Sequence, residues 1–320
     1  MTRILITRPL TETVCDAARA LPGAEVEVRA LTTPMKPGEM RGALAIFDVI
    51  LPTLGDFFNA EVFKDMPAPR TRLLANFGVG YNHIDVDAAR ASGVAVTNTP
   101  GAVTDATADI GMMLILMTCR RAGEGERLVR AGRWKGWHPT QMLGTHVSGK
   151  TVGIIGMGRI GKAIAKRCHY GFGMEVVFMN RSVVADAGVP ARQVADMAEL
   201  AALADMVVVA VPGGAATHHL IGADLFAAMK PAAHFVNISR GDVVDEAALI
   251  TALETGQIAG AGLDVYEFEP QVPAALRKME NVTLLPHLGT AARDVRDAMG
   301  LMAVENIRAY LAGDPLPNAV

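Results

Sequence analysis

Short apolar runs alternate with helix-length segments along most of the chain. In the first 98 residues the pattern predicts strands at Ile4–Thr7, Val26–Arg29, Ala45–Leu51, Leu73–Phe77 and Ala95–Thr97, and helices at Glu12–Ala20 and Val86–Ser92. Strands separated by helix-length connections indicate a parallel sheet that is covered by helices. Because this part contains no G-x-G-x-x-G sequence, we do not expect it to bind a nucleotide.

The same alternation returns between residues 151 and 286. It predicts strands at Thr151–Ile155, Glu175–Met179, Met206–Ala210, His234–Ile238, Ala259–Asp264 and Val282–Leu285. A final helix, Thr290–Leu311, is predicted to cross back onto the N-terminal half. We therefore expect an α/β protein with two doubly wound parallel-sheet domains, one formed by residues 1–98 plus 290–320 and the other by residues 99–289.

A glycine-rich turn follows the first strand of the second domain. Gly156, Gly158 and Gly161 form G-x-G-x-x-G between a strand and a helical segment. These glycines permit a tight turn, close approach of a pyrophosphate, and close contact between helix and strand. The pyrophosphate then lies at the helix N-terminus, where free N–H groups favour an anion. The spacing predicts a dinucleotide site, with a structural glycine turn as the alternative.

The second strand of this unit ends without the acidic residue that usually binds the ribose 2′-hydroxyl of NAD. Asn180, Arg181 and Ser182 stand there instead. No carboxylate is present to repel a 2′-phosphate, and Arg181 can pair with one. This favours NADP(H). NAD(H) stays possible if Arg181 is only a solvated loop residue.

Another pair of glycines follows the predicted strand Leu73–Phe77. Ligands of open α/β sheets bind beyond the carboxyl ends of strands, and glycines there free backbone N–H groups to hold an anion. The segment Gly78-Val79-Gly80 is therefore a candidate anion site. An ordinary tight turn fits the spacing equally well.

One long helix is predicted from roughly Asp105 to Ala131, and its first half is apolar on several sides. Such a helix is buried or packs against a second subunit. We favour a dimer interface, with a core inside the chain as the alternative. Trp134 and Trp137 follow in a polar loop, which fits an interface or the rim of an active site.

Composition limits the possible partners. The chain has 320 residues, 51% of them hydrophobic and 20% charged, with a net charge of −3. It can bury a large core and lacks the basic excess of a nucleic-acid-binding protein. The longest apolar stretch, Ile110–Thr118, is far too short to span a membrane.

The cysteines and the N-terminus indicate the compartment. Cys15, Cys119 and Cys168 are scattered without metal-binding spacing, which is typical of reduced cysteines in a cytosolic protein. The N-terminal apolar run is shorter than that of a signal peptide and is predicted to be a strand. We therefore expect a cytoplasmic protein with no metal site.

Polar residues follow three predicted strands of the second domain: Arg240, the Glu267–Glu269 segment, and His287. Reduction of a 2-keto acid needs a cation for the carboxylate and carbonyl, an acid that works near neutral pH, and a carboxylate that orients the acid. Arginine, histidine and glutamate provide these functions. Each residue alone has a structural alternative, but the combination favours this chemistry.

The chain resembles the D-isomer-specific 2-hydroxyacid dehydrogenases over essentially its full length. The matching motifs are V-G-Y-N-H-I-D (79–85), the glycine fingerprint (156–161), N-I-S-R-G-D-V-V-D-E (237–246), G-L-D-V-Y-E-F-E-P (262–270) and P-H-L-G-T-A (286–291). The resemblance implies a Rossmann nucleotide-binding domain inserted in a flavodoxin-like substrate domain, and a homodimer through the nucleotide-binding domain.

The resemblance also implies roles for single residues. Arg240 would bind the substrate carboxylate and the keto oxygen, and His287 would donate and accept the proton. Glu269, directly before a proline, would be the partner of His287. The backbone N–H groups of Val79 and Gly80 would bind the substrate carboxylate.

Cofactor contacts are implied at a further set of positions. They are Gly156, Gly158, Arg159, Ile160, Gly161, Asn180, Arg181, Ser182, Val211, Pro212, Thr217, Ile238, Asp264, His287 and Thr290. Among them, Asp264 would face the nicotinamide carboxamide.

Two features narrow the expected activity. Formate dehydrogenases of this family carry Gln beside the catalytic His, and this chain has Glu269. The segment Asn180–Ser182 resembles that of NADPH-using glyoxylate and hydroxypyruvate reductases. We expect hydride transfer from NADPH to glyoxylate or hydroxypyruvate, giving the D-2-hydroxy acid. The alternatives are an NAD-linked D-2-hydroxyacid dehydrogenase for another keto acid, and a non-enzymatic nucleotide-sensing module of the same fold.

Overall fold

The computed structural model describes residues 1–64, 66 and 68–320, in which strands and helices alternate. The strands are β1 (Thr2–Ile6), β2 (Ala24–Val28), β3 (Val49–Leu51), β4 (Leu73–Ala75), β5 (Ala95–Thr97), β6 (Thr151–Ile155), β7 (Glu175–Met179), β8 (Arg192–Gln193), β9 (Met206–Val209), β10 (His234–Asn237), β11 (Gly260–Leu263) and β12 (Val282–Leu284). The helices are α1 (Glu12–Arg19), α2 (Pro37–Ile46), α3 (Ala60–Phe63), α4 (Val86–Ala91), α5 (Thr104–Cys119), α6 (Ala122–Arg130), α7 (Arg159–Lys166), α8 (Met197–Leu203), α9 (Ala223–Ala228), α10 (Glu246–Glu254), α11 (Ala274–Lys278) and α12 (Arg293–Ala312).

The chain divides into two compact units, each with its own sheet. The smaller unit contains residues 1–103 and 291–320, and the larger unit contains residues 104–290. Neighbouring strands of the described sheets are parallel throughout. The predicted α/β class with two parallel-sheet domains is thereby confirmed.

The sheet of the smaller unit has the strand order β2-β1-β3-β4-β5. Strands β3 and β4 are buried along their whole length, as expected for apolar runs that are covered on both faces. Helix α12 packs against α1 and β4. The C-terminal segment is therefore part of the unit that the first 103 residues form.

The sheet of the larger unit has the order β12-β11-β10-β9-β6-β7-β8. Strand β6 pairs with β7 on one side and with β9 on the other, so the order of the strands reverses there. Such a reversal opens a crevice at the carboxyl ends of the strands, where open α/β sheets bind ligands. The inner strands β9 and β10 are completely buried.

The predicted helix Asp105–Ala131 is wrong as a single element, because the structure has two helices there. Arg121 adopts a left-handed φ of 53° between α5 and α6. The carbonyl of Cys119, which a continuous helix would direct to the N–H of Gly123, accepts a hydrogen bond from the N–H of Thr145 at 2.8 Å. A distant segment thus competes for the backbone and ends α5.

Two other predicted boundaries differ from the structure. The predicted strand Ala45–Leu51 begins too early, because α2 continues to Ile46 and β3 starts at Val49. The apolar run at residues 45–51 therefore contains both the end of a helix and a buried strand. The final helix begins at Arg293 and ends at Ala312, before Gly313 with φ 74°. A glycine in that conformation ends many helices.

Within the described residues, no helix has both the length and the apolar character needed to cross a bilayer.

Candidate active site

Arg240, Glu269 and His287 follow three neighbouring strands of the larger unit. Strand β10 precedes Arg240, β11 precedes Glu269, and β12 precedes His287. Because β10 pairs with β11 and β11 with β12, all in parallel, their carboxyl ends lie at one edge of the sheet. There the His287 Nδ1 atom lies 2.8 Å from the Glu269 Oε2 atom.

The carboxylate of Glu269 is held at both oxygens. Oε2 pairs with His287, and Oε1 accepts the backbone N–H of Tyr266 at 3.0 Å. Burial alone would raise the pKa of Glu269, but the hydrogen bond and charge of His287, the Tyr266 N–H and the charge of Arg240 hold this pKa below its usual value. An ionised carboxylate only accepts hydrogen bonds, so Nδ1 of His287 carries the proton between them and Nε2 is left for chemistry.

Arg240 is positioned by the turn that follows β10. The side chain of Asn237 donates to the Arg240 carbonyl at 2.9 Å and accepts from the N–H of Ser239 at 3.0 Å. A Cβ atom on Gly213 would lie 2.6 Å from Cγ of Arg240, so only glycine allows this close approach of the preceding loop. Burial lowers the pKa of Arg240, while the charges of Glu269 and Asp242 oppose that effect. A guanidinium remains a cation near neutral pH.

Asp264 supports the loop that carries His287. Its carboxylate accepts the backbone N–H groups of Leu288 at 2.6 Å and Gly289 at 2.9 Å, and its carbonyl accepts that of His287 at 2.9 Å. His287 has a φ of 54°, which is unusual for a residue other than glycine and needs such support. Burial raises the pKa of Asp264 above its usual value, and the hydrogen bonds from the two N–H donors offset only part of that rise. Each carboxylate oxygen keeps a lone pair that can accept from a carboxamide.

The sequence did not reveal Asp264, Asn237 or Tyr266 as supports of the catalytic groups. Tyr266 donates its hydroxyl to the carbonyl of Leu285 at 2.8 Å, which ties the end of β11 to the end of β12. Asn237 had a recognisable signal, since a polar residue that ends an apolar strand needs hydrogen-bond partners. The partner of the Tyr266 hydroxyl directly after β12, the carbonyl of Leu285, lies 19 residues away and leaves no local pattern.

The glycine turn after β6 has the geometry of a dinucleotide site. Gly156 has a φ of 100°, and a Cβ on Gly161 would lie 2.1 Å from the Gly156 carbonyl oxygen. These two positions are therefore restricted to glycine by the chain itself. A Cβ on Gly158, by contrast, would meet no atom within 4 Å. Gly158 leaves space beside the N-terminus of α7, which begins at Arg159 and Ile160. A pyrophosphate fits such a place.

The segment Asn180–Ser182 follows β7, next to the glycine turn. The side chain of Asn180 accepts the N–H of Met157 at 3.2 Å and donates to the carbonyl and the hydroxyl of Ser182 at 3.0 and 3.2 Å. Arg181 and Ser182 are exposed. In the described part of the chain no carboxylate forms an ion pair with Arg181, so its guanidinium is available to an anion.

The other predicted cofactor-contact residues lie beyond the same strand ends. Val211 and Pro212 follow β9, and Ile238 directly follows β10. Thr217 closes the loop after β9, with its hydroxyl donating to the Pro212 carbonyl at 2.8 Å. Thr290 is the last residue of the larger unit, three positions after His287.

Val79 and Gly80 lie in the smaller unit, in the turn that follows β4. The side chain of Asn76 donates to the carbonyls of Gly78 and Gly80 at 3.0 Å each, and that of Asn98 donates to the Val79 carbonyl at 2.9 Å. No acceptor among the described residues takes the N–H of Val79 or of Gly80. With the carbonyls held and the N–H groups open, the turn is suited to an anion.

His218, His219 and Glu267 also come together, with potential ligand atoms within 4.8 Å of one another. Nε2 of His219 lies 2.7 Å from the Glu267 carboxylate, and the two imidazole rings stack at 4.1 Å. These contacts account for the group without a metal ion. They also show that Glu267 has a partner other than His287.

Comparisons with known proteins agree on one family. The model of the D-isomer-specific 2-hydroxyacid dehydrogenase NAD-binding domain matches residues 112–289. A glyoxylate reductase of Thermococcus gammatolerans is 40% identical over 323 residues, which cover 99% of this chain and 95% of the relative. The crystal structure of a protein from Thermus thermophilus superposes with a TM-score of 0.91 at 39% identity, covering 99% of both chains. An NADPH-dependent glyoxylate/hydroxypyruvate reductase of Sinorhizobium meliloti, solved with NADP and malonate, superposes with a TM-score of 0.87 at 34% identity, covering 100% of this chain and 96% of that one.

Proposed function

The chain belongs to the D-isomer-specific 2-hydroxyacid dehydrogenase family, and on that premise we propose that it reduces glyoxylate or hydroxypyruvate with NADPH to the D-2-hydroxy acid. The observation that carries this proposal is the contact of 2.8 Å between His287 Nδ1 and the Glu269 carboxylate. The charge of Arg240 acts on the same carboxylate, and the three residues follow three adjacent strands. The activity named for the Thermococcus and Sinorhizobium relatives supports the choice of substrate.

The proton step follows from the geometry of the pair. NADPH, when bound, supplies the hydride that is added to the keto carbon. His287 donates the proton on Nε2 to the keto oxygen as that oxygen becomes negative. Glu269 stabilises the imidazolium before this donation and, by its contact with Nδ1, leaves Nε2 for the substrate. Arg240 binds the substrate carboxylate and counters the charge that develops on the keto oxygen.

The residues around the glycine turn are those that would hold the cofactor. The open space at Gly158 and the start of α7 suit the pyrophosphate, and Arg181 and Ser182 suit a 2′-phosphate. A guanidinium and a hydroxyl are both good partners of a phosphate. The NADP named in the Sinorhizobium structure supports this choice of cofactor over NADH.

We assign the two units to two tasks. The larger unit, predicted from the sequence as residues 99–289, is the dinucleotide-binding domain, and the family model for that domain matches 112–289 within it. The smaller unit, predicted as residues 1–98 plus 290–320, is the substrate domain. In it the open N–H groups of Val79 and Gly80 would bind the substrate carboxylate.

The protein is proposed to be a homodimer that associates through the larger unit. One face of α5 is buried inside that unit, as the alternative prediction of a core within the chain stated. Another part of its surface forms an apolar depression of about 580 Å³ with Met113, Leu116 and Met117 in its lining. Apolar surface of this kind is typical of subunit interfaces. The three buried free cysteines support a reducing compartment such as the cytoplasm.

A steady-state panel tests the activity. The initial rate of nicotinamide oxidation is measured with glyoxylate, hydroxypyruvate, pyruvate and phenylpyruvate, each against NADPH and NADH. We expect the highest kcat/KM with NADPH and one of the two small substrates. A preference for NADH or for a larger keto acid would establish the alternative dehydrogenase. Absence of turnover on every substrate would favour the nucleotide-sensing module.

A further inference from the structure

Gln193 lies on the short edge strand β8 and holds the loop that follows the neighbouring strand β7. Its Nε2 donates to the Ser182 carbonyl at 3.0 Å and to the Asn180 carbonyl at 3.4 Å. Its Oε1 accepts the N–H of Val184 at 3.0 Å. One neutral side chain therefore contacts the backbone of three residues in a five-residue loop, which we call the 180–184 loop.

The backbone that carries the Gln193 side chain is anchored to the sheet. Gln193 pairs in register with Phe178, and the N–H of Val194 donates to the Phe178 carbonyl at 2.9 Å. Gln193 is partly buried, whereas Arg181, Ser182 and Val183 are exposed. The exposed loop thus takes its shape from a side chain outside it.

The electrostatic effect of these bonds favours an anion at the loop. The Ser182 carbonyl accepts from two amide groups, those of Gln193 and Asn180, at 3.0 Å each. The partial negative charge of that oxygen is therefore compensated, next to the residues that would meet a 2′-phosphate. Free carbonyl oxygens at this place would repel the phosphate.

We propose that Gln193 is a positioning residue that holds the 180–184 loop in the shape that presents Arg181 and Ser182 to the 2′-phosphate of NADPH. The inference rests on the proposed use of NADPH and assigns Gln193 a role that acts through the loop. A loop that is already ordered loses less conformational freedom when it binds, so the affinity for the phosphate is higher.

Calorimetric titration with two cofactor fragments tests this role without turnover. The ligands are adenosine 2′,5′-bisphosphate, which has the 2′-phosphate, and adenosine 5′-monophosphate, which lacks it. Gln193→Met keeps the length of the side chain and removes its donor and its acceptor. We expect this variant to bind the bisphosphate about tenfold more weakly, as the loss of a few neutral hydrogen bonds predicts, and to bind the monophosphate within about twofold of wild type.

Two controls separate positioning from general damage. Arg192→Lys changes the neighbouring residue of the same strand, whose side chain pairs with Glu199 and not with the loop, and it should leave both affinities unchanged. When Arg181 is already replaced by Ala, Gln193→Met should lower the affinity for the bisphosphate by less than about threefold, because the guanidinium that Gln193 positions is gone. Thermal unfolding of each variant checks that the fold is kept.

The outcomes distinguish this inference from the proposed function. Unchanged bisphosphate affinity in Gln193→Met, or an equal loss for both ligands, would overturn the positioning role while the preference for NADPH stands. Full additivity with Arg181→Ala would also overturn it. If the wild-type protein binds both fragments equally well, the preference for NADPH itself is wrong, and the role of Gln193 falls with it.

Discussion

Two regions of the larger unit are built in opposite ways. In the proposed catalytic region, formed by Arg240, Glu269 and His287, charged groups hold one another, and the pKa of Glu269 is lowered despite burial. In the 180–184 loop, the charged residue Arg181 is exposed, and the neutral amides of Asn180 and Gln193 hold the backbone. On the proposed assignments, chemistry depends on the charge state of partly buried groups, whereas discrimination between the two cofactors depends on the shape of an exposed loop.

This difference has a physical cause. A proton donor must change its charge during turnover, so its surroundings need fixed charges and little competing water. A 2′-phosphate keeps its charge, and an exposed arginine that binds it is partly screened by solvent. Substitutions in the catalytic region should therefore lower kcat, and substitutions in the 180–184 loop should alter the ratio of affinities for two cofactors.

The largest expected effect is that of His287→Ala. Loss of the proton donor should lower kcat about 10³-fold, while the affinity for NADPH stays within about threefold. The matched control is His169→Ala, which removes a histidine whose Nδ1 lies 3.1 Å from the Met174 carbonyl. Stopped-flow turnover and fluorescence titration of NADPH measure the two quantities. Near-normal turnover of His287→Ala would contradict the comparison of the two regions, because the proton donor would then not be His287.

Glu269→Gln should have a smaller effect and one that depends on pH. The variant keeps a hydrogen-bond acceptor but loses the charge that stabilises the imidazolium, so kcat should fall about 10- to 100-fold.

The sign of the pH effect follows from the lowered pKa of Glu269. In wild type its contribution to the free energy of unfolding is fully present above the ordinary glutamate value of 4.5 and is lost as the pH falls through the lower value of the folded state. Urea unfolding between about pH 3 and pH 7 should therefore show a steeper acid loss in wild type than in Glu269→Gln. Identical pH dependence in both proteins would mean that the carboxylate is not stabilised by the fold.

The smallest expected effect is that of Arg181→Ala in the 180–184 loop. It should raise the KM for NADPH about tenfold and leave that for NADH unchanged, since only NADPH carries the 2′-phosphate. The difference in KM for NADPH between this variant and wild type should become smaller as the salt concentration rises from about 0.05 M to 0.5 M, because the contact is exposed to solvent. Steady-state kinetics with both cofactors at the two salt concentrations provides the measurement. An equal loss for NADPH and NADH would remove the distinction between the two regions.

Much of this protein was readable from local sequence. Alternating apolar runs predicted two parallel sheets, because strands that are buried on both faces must be apolar throughout. The glycine turn was predictable as well, since φ at Gly156 and the close approach at Gly161 exclude other residues. The candidate catalytic groups were recognisable because polar residues at the carboxyl ends of parallel strands lie where open α/β sheets bind their ligands.

Other features were decided only by tertiary structure. The motif resemblance selected Glu269 as the partner of His287, but the physical reason appears only in the fold, where Glu269 meets His287 and Glu267 pairs with His219 instead. The end of α5 depends on Thr145, 26 positions beyond the Cys119 carbonyl that it occupies. Gln193 has no local signature, because its partners belong to the loop after another strand. The sequence determines the chemistry of each residue and its spacing from its neighbours. Its hydrogen-bond partner is determined by the fold, because the fold decides which strand ends lie next to each other.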